Sequence, residues 1–297
     1  MELLSAHACF GGIQSFHRHA SRVIGLPMRF AAYLPPAAAH AGRRVPLLVY
    51  LAGLTCTEET FATKAGAQRL AARLGMALLC PDTSPRDTGV AGAAEGWDFG
   101  DGAGFYLDAT EAPWRAHWRM ESYLVDELLP LAAERLPLDL ARVGIFGHSM
   151  GGHGALTLAL RHPARFRSVS ALAPVVAPSQ VPWGVKAFSG YLGADRGAWA
   201  AHDATALMAA CKAPPFPAGI LIDQGLDDRF LAEQLRPELF EAACAQAGQK
   251  VTVRRHAGYD HGYYFVQSFV ADHLREHARV LLGRRPGDGA GRSAEAA

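Results

Sequence analysis

The pentapeptide Gly147-His148-Ser149-Met150-Gly151 joins a short β-branched run, Arg142-Val143-Gly144-Ile145-Phe146, to a helical one, Ala155-Leu156-Thr157-Leu158-Ala159-Leu160-Arg161. Strand, sharp turn and helix in that order put the serine on a strained corner, a nucleophile elbow. Close neighbours there must be small, and glycines two residues before and two after supply the room. A bare G-x-S-x-G arises easily by chance in a chain with 31 glycines, so the signal lies in the flanking strand and helix. Such a corner also limits the fold, because it needs a strand that ends at an open sheet edge and a helix that packs back across it.

The rest of the chain fits that demand. Met28 to Leu34 alternates as an early strand and stops at Pro35-Pro36. Near-continuous apolar runs follow at Leu47 to Leu51, Ala77 to Cys80, Val143 to Phe146, Val169 to Leu172 and Ile220 to Ile222, as expected of strands buried on both faces of a parallel sheet. Helical patterns fall between them, at Ala65 to Leu74, Met120 to Arg135 and Leu231 to Ala247, and Val251 to Arg255 resumes as a strand. The alternation predicts one α/β domain over residues 1–283, with a mostly parallel sheet and helices on both faces. Ser84 to Trp118, rich in Gly, Asp and Trp, reads as a long ordered loop near the site. Residues 284–297 are polar and small, and read as a disordered tail.

Composition narrows the function. With 29 basic and 28 acidic residues and no charge block, nothing points to a nucleic-acid or membrane partner, and a small-molecule substrate is expected. Five cysteines, an odd number without C-x-x-C, fit a reducing compartment. The N-terminus lacks a basic start and a long apolar run, and no stretch approaches the ~20 residues that span a bilayer. The expected location is cytoplasmic.

A serine hydroxyl is a poor nucleophile near neutral pH and needs a base, itself oriented by a carboxylate. Behind an elbow serine the acid and then the histidine follow in chain order. The acid is expected beyond Ile220-Leu221-Ile222, in Asp223-Gln224-Gly225-Leu226-Asp227-Asp228. Asp227 and Asp228 are both available; Asp228 is preferred for its distance from the Gly225 turn, and Asp223 is given a structural turn role. The base is expected at His261, at the far end of the loop after Val251 to Arg255, while His256 at the strand end is assigned packing or surface duty. The oxyanion needs two donors, for which the backbone N–H groups of Met150 and Leu54 are the candidates. Cys56 in the same loop, and His148 beside the serine, are candidate pocket residues.

With these residues identified, the chain resembles the S-formylglutathione hydrolases, the family of esterase D. The resemblance covers about residues 9 to 280. It rests on Phe10-Gly11-Gly12, Tyr33-Leu34-Pro35-Pro36, Leu54-Thr55-Cys56-Thr57-Glu58, Pro81-Asp82-Thr83-Ser84-Pro85-Arg86, Trp97-Asp98-Phe99-Gly100, Gly102-Ala103-Gly104-Phe105-Tyr106, the elbow itself, Pro182-Trp183-Gly184, Lys186 to Gly193, Asp223-Gln224-Gly225 and Gly258-Tyr259-Asp260-His261. It implies an α/β-hydrolase fold and a cytoplasmic, homodimeric, cofactor-free thioesterase that hydrolyses S-formylglutathione to glutathione and formate in formaldehyde detoxification. The implied triad is Ser149, Asp228 and His261, with Trp183 at the pocket.

Rival readings start from other features. The same triad would serve a broad short-acyl carboxylesterase. His273-Leu274-Arg275-Glu276-His277 spells H-x-x-E-H, a zinc-peptidase pattern, but no third ligand is well supplied downstream, so both histidines are assigned to an exposed helix face and no metal is expected. A non-catalytic binding module on this fold would leave the filled triad positions unexplained.

Overall fold

The computed structural model describes residues 1–283, so the expected disordered tail lies outside the described residues. Nine strands form one sheet: β1 (Glu2–Cys9), β2 (Gly12–Ala20), β3 (Pro27–Leu34), β4 (Val45–Leu51), β5 (Ala77–Pro81), β6 (Leu138–His148), β7 (Ser168–Leu172), β8 (Ile220–Gly225) and β9 (Val251–His256). Their order is β1-β2-β3-β5-β4-β6-β7-β8-β9. β1, β2 and β3 pair antiparallel, as does β3 with β5, and every pair from β5–β4 onward is parallel. β4, β5 and β7 are buried along their whole length, which is why they read as unbroken apolar runs. Helices cover both faces, giving the α/β-hydrolase fold.

Two strands escape the hydrophobic pattern. β1 is an edge strand with mostly exposed side chains. β2 is alternately buried, but its buried side chains are polar: Gln14 and Ser15 donate to the Ala32 carbonyl at 3.2 and 3.1 Å, and His17 bonds Ser15 Oγ at 2.8 Å.

Of the helix expected at Ala65 to Leu74 only α2 (Gln68–Leu74) forms, and a helix that was not expected, α1 (Glu58–Lys64), precedes it. The chain breaks at Gly66, where φ is +66°. Thr57 caps α1 with Thr60 in a reciprocal pair of hydrogen bonds. The helical stretch from Met120 to Arg135 comprises α3 (Met120–Ser122), a π-helical segment Tyr123–Leu128 and α4 (Leu129–Arg135). Then come α5 (Met150–Arg161), α6 (Pro182–Leu192), α7 (Arg196–Trp199), α8 (Ala204–Ala209), α9 (Pro237–Ala247) and α10 (Tyr263–Leu281). α9 replaces most of the helix expected from Leu231, which begins instead with a π-helical turn, Leu231–Leu235, ended by Arg236 at φ +51° and Pro237.

The H-x-x-E-H histidines correct the expectation most sharply. His273 and His277 are not on an exposed face; both are buried between α10 and the sheet. His273 Nε2 meets Asp223 Oδ2 at 2.9 Å and its Nδ1 meets Ser170 Oγ at 2.7 Å. His277 bridges Ser170 Oγ at 2.9 Å and Ser168 Oγ at 2.6 Å. Asp223 is likewise no turn residue: it lies within β8, fully buried, and also accepts two hydrogen bonds from Arg254 and one from His256. The histidine ring nitrogens that a metal would need are already engaged.

Candidate active site

β6 runs to His148, Ser149 takes φ 59° and ψ −123°, and α5 starts at Met150. That backbone is unfavourable for any residue but glycine, and the surroundings hold it. Ser149 N–H donates to the Leu172 carbonyl at 3.0 Å, and its own carbonyl accepts from His153 N–H at 3.0 Å. The flanking glycines are demanded by contact: a Cβ on Gly147 would lie 2.2 Å from the Gly151 carbonyl oxygen, and one on Gly151 would lie 2.0 Å from that of Leu51. β4 and α5 therefore press directly on the corner.

The carboxylate is set by the turn after β8. Asp228 is buried; its Oδ1 accepts from Phe230 N–H at 2.9 Å and its Oδ2 from Gln224 Nε2 at 3.3 Å. Oδ2 also meets His261 Nδ1 at 2.5 Å. Asp227 is exposed, and its N–H donates to the Tyr259 carbonyl at 3.0 Å, stitching this turn to the loop that carries His261. The two loops touch so closely that a Cβ on Gly225 would sit 2.4 Å from the Tyr259 carbonyl oxygen. Of the two aspartates left open by the sequence, the structure brings Asp228 to the histidine.

Ser149 and His261 line one cavity of about 310 Å³, with Leu54, Cys56, His148 and Trp183 among its other walls. Met150 is buried beneath it as the first residue of α5, where its N–H has no partner inside the helix. Among the described residues the Leu54 N–H makes no backbone hydrogen bond, while its loop is fixed on either side. Thr55 N–H donates to the Gly102 carbonyl at 2.9 Å, Tyr106 Oη to that of Ala52 at 2.9 Å, and Thr83 Oγ1 and Arg86 to that of Cys56 at 2.6 and 2.9 Å. Two N–H donors thus remain unspent beside the serine, on a scaffold that cannot easily yield. The Ser149 hydroxyl and His261 Nε2 share the cavity without a hydrogen bond between them; such contacts commonly tighten only around substrate.

His148 stacks obliquely against His261, ring centres 4.5 Å apart. Burial first, and then the adjacent His261, push its imidazole well below the ordinary histidine range, so it is neutral near pH 7. Burial raises the Cys56 thiol, which disfavours its thiolate. His256 lies away from the cavity, bonded to Asp223 and stacked on Phe269 at 3.7 Å. Sequence reasoning missed four lining residues: Trp97, Arg229, Phe230 and Tyr263. Arg229 and Phe230 directly follow Asp228 and could have been flagged for that. Trp97 comes from the long loop between β5 and α3, and Tyr263 opens α10; neither carries a local signal.

Comparison with known proteins gives the family. Residues 21–276 match the esterase family described as "Putative esterase". The chain is 54% identical over 280 residues to an S-formylglutathione hydrolase of Paracoccus denitrificans, covering 94% of this chain and 98% of that one. It is 49% identical over 284 residues to that of Rattus norvegicus, covering 95% and 99%. A solved S-formylglutathione hydrolase from Agrobacterium tumefaciens superposes with a TM-score of 0.91 at 47% identity, covering 95% of this chain and all of the other. A ferulic acid esterase at 19% identity shares the fold, with a TM-score of 0.70. Matched along nearly its whole length at about half of its residues, this chain belongs to the S-formylglutathione hydrolase family of serine esterases.

Proposed function

We propose that the protein is a serine thioesterase that hydrolyses S-formylglutathione to glutathione and formate, the last step of glutathione-dependent formaldehyde removal. The observation that carries the reading is the 2.5 Å contact between His261 Nδ1 and Asp228 Oδ2 in a cavity shared with the elbow serine. Family membership supplies the substrate.

In this mechanism Ser149 Oγ adds to the thioester carbonyl carbon as its proton passes to His261 Nε2. Asp228 holds the ring through Nδ1–H and stabilises the imidazolium. The N–H groups of Leu54 and Met150 receive the developing oxyanion. Collapse breaks the C–S bond, and the glutathione sulfur leaves with the proton from His261, giving formyl-Ser149. Water then adds to the formyl ester with His261 again as base, Ser149 Oγ recovers its proton, and formate departs. A thiolate is a good leaving group, so the acid half of this cycle demands less than it would for an amide.

A formyl group carries only hydrogen on its carbonyl carbon, so an acyl pocket matched to it would turn over longer acyl groups less well. The test is turnover of S-formylglutathione beside S-acetylglutathione and a short p-nitrophenyl ester, with Ser149→Ala as control. Preference for the formyl thioester, lost in the variant, is expected; comparable or better ester turnover would make the protein a general short-acyl carboxylesterase.

Cytoplasmic residence and homodimerisation belong to the same reading. All five cysteines are free, and among the described residues no helix is long and apolar enough to cross a membrane. β1 leaves one edge of the sheet open and exposes Leu3, with Phe10 and Ile13 exposed beside it, a surface that a second copy would cover. Light scattering during gel filtration reads the mass directly.

A further inference from the structure

Among the described residues, Arg229 is the one Asp, Glu, Lys or Arg side chain that lines the cavity of Ser149 and His261. It is exposed, and among the described residues it makes no salt bridge, whereas Lys186 near the same rim is bound to Asp98. Its guanidinium rests on the Phe230 ring, 4.6 Å from the ring centre. Phe230 is in turn held edge-on to His261 at 5.1 Å and against Trp183 at 4.6 Å. The backbone beneath is fixed by the bond from Phe230 N–H to Asp228 Oδ1. The cation is therefore mounted on an aromatic platform one ring away from the catalytic histidine, with its donors unspent.

We infer that Arg229 is a specificity-determining residue that receives a carboxylate of the acyl carrier, so that the enzyme selects anionic thiol carriers over neutral leaving groups. The inference rests on the reading of S-formylglutathione as substrate. The glutathione moiety carries two carboxylates and one ammonium at neutral pH, a net negative charge, and among the described residues no acidic side chain lines the cavity to oppose it. A guanidinium already held over a ring presents its planar fork at little further entropic expense, and its fork matches the geometry of a carboxylate. A contact to the carrier rather than to the reacting carbonyl contributes equally to ground and transition states, so it acts on KM.

The test compares wild type with Arg229→Ala, Arg229→Glu and Arg229→Lys on S-formylglutathione, on the same thioester esterified at its glycine carboxyl, and on p-nitrophenyl acetate. The readout is the ratio of kcat/KM for the thioester to that for the neutral ester, which corrects for any general damage to the site. The ratio should fall about tenfold or more in Arg229→Ala, the size expected for one charge-assisted hydrogen bond, and further in Arg229→Glu. The loss should lie in KM, and Arg229→Lys should keep part of it. Lys212→Ala, which removes an exposed charge outside the cavity, should leave the ratio unchanged. If the partner is the glycine carboxylate, the esterified substrate loses the same factor in wild type and no more in the variants; if it is the γ-glutamyl carboxylate, the esterified substrate still responds to Arg229. A ratio that stays within about twofold of wild type in both Arg229→Ala and Arg229→Glu overturns the inference alone. Failure of the wild type to hydrolyse S-formylglutathione, while it hydrolyses the ester, overturns the parent reading and the inference with it.

Discussion

Asp223 and His273 are joined by a 2.9 Å hydrogen bond between two side chains that are both completely buried. From that pair a polar chain continues through Ser170 and His277 to Ser168, and on the other side Arg254 and His256 converge on the same carboxylate. β8, β9 and α10 meet at this point. β8 leads to Asp228, and the loop from β9 to α10 carries His261, so one buried carboxylate ties together the elements that hold the acid and the base.

Replacing His273 by Leu should destabilise the protein by about 2–4 kcal/mol, because it leaves the buried Asp223 carboxylate with one partner fewer and Ser170 with His277 alone. Urea unfolding measures it. A loss below about 0.5 kcal/mol would mean that the chain of bonds contributes little. Chelators should leave activity and unfolding midpoint unchanged, since both histidines spend their nitrogens on serine and aspartate.

Stability should fall as the medium is acidified below about pH 6.5. Burial, with His273 alongside, pushes His277 down to about 3, and burial pushes His153 down to about 4. The unfolded chain takes up these protons near pH 6.5 while the native state refuses them, so the stabilisation is complete above that pH and drains away toward pH 3–4. Asp223 acts in the same direction lower down. Burial alone would raise its carboxyl, but bonds from His273 and Arg254 more than offset this and hold it far below the ordinary carboxylate range. A urea midpoint that is flat from pH 7 to 8 and drops steeply between 6.5 and 4 is expected; one that holds or rises across that interval contradicts the assignment.

Ser149→Ala should lower kcat by about 10³-fold or more. Among the described residues its hydroxyl makes no hydrogen bond, so the unfolding free energy from urea titration should stay within about 0.5 kcal/mol of wild type. Near-full activity would remove Ser149 from the reaction.

The two adjacent aspartates should part company. Asp228→Asn should reduce kcat by about 10²- to 10⁴-fold, because an amide cannot hold His261 Nδ1–H in the same way. Asp227→Asn keeps the backbone bond to Tyr259 and should stay within about threefold of wild type. Kinetics showing the reverse order would move the acid to Asp227.

Gly225→Ala should lower both activity and stability. The added methyl would meet the Tyr259 and Asp260 carbonyl oxygens at 2.4 and 2.8 Å, so the histidine loop must move off the end of β8. About 1–3 kcal/mol of stability should be lost, with kcat falling more than KM changes. An alanine variant with wild-type kcat would show that the loops need not touch.

Local sequence announced the elbow because strand, glycine spacing and helix are neighbours in the chain, and it announced the parallel strands because burial on both faces leaves an apolar run. The order of acid and histidine after the serine followed from the same reasoning, though the choice between Asp227 and Asp228 turned on which carboxylate the Gly225 turn aims inward, and that is a contact between two loops. β2 stayed hidden because its buried positions hold Gln14, Ser15 and His17, whose polarity is satisfied by β3 across the sheet. Trp97 lay in a loop expected near the site and Arg229 beside the expected acid, but nothing local to either says which cavity its side chain faces.

The sequence by itself determined the α/β alternation and the position of the strained serine, since both follow from short-range periodicity and from where glycine is required. What H-x-x-E-H becomes, only the tertiary structure decided. Four residues along a helix rise about 6 Å and two along a strand rise about 6.6 Å, so His273 and His277 fall into register with Ser170 and Ser168 once α10 lies antiparallel across β7. That register turns a metal-binding pattern into a buried hydrogen-bonded seam, and no local pattern encodes it because its partners lie more than a hundred residues away.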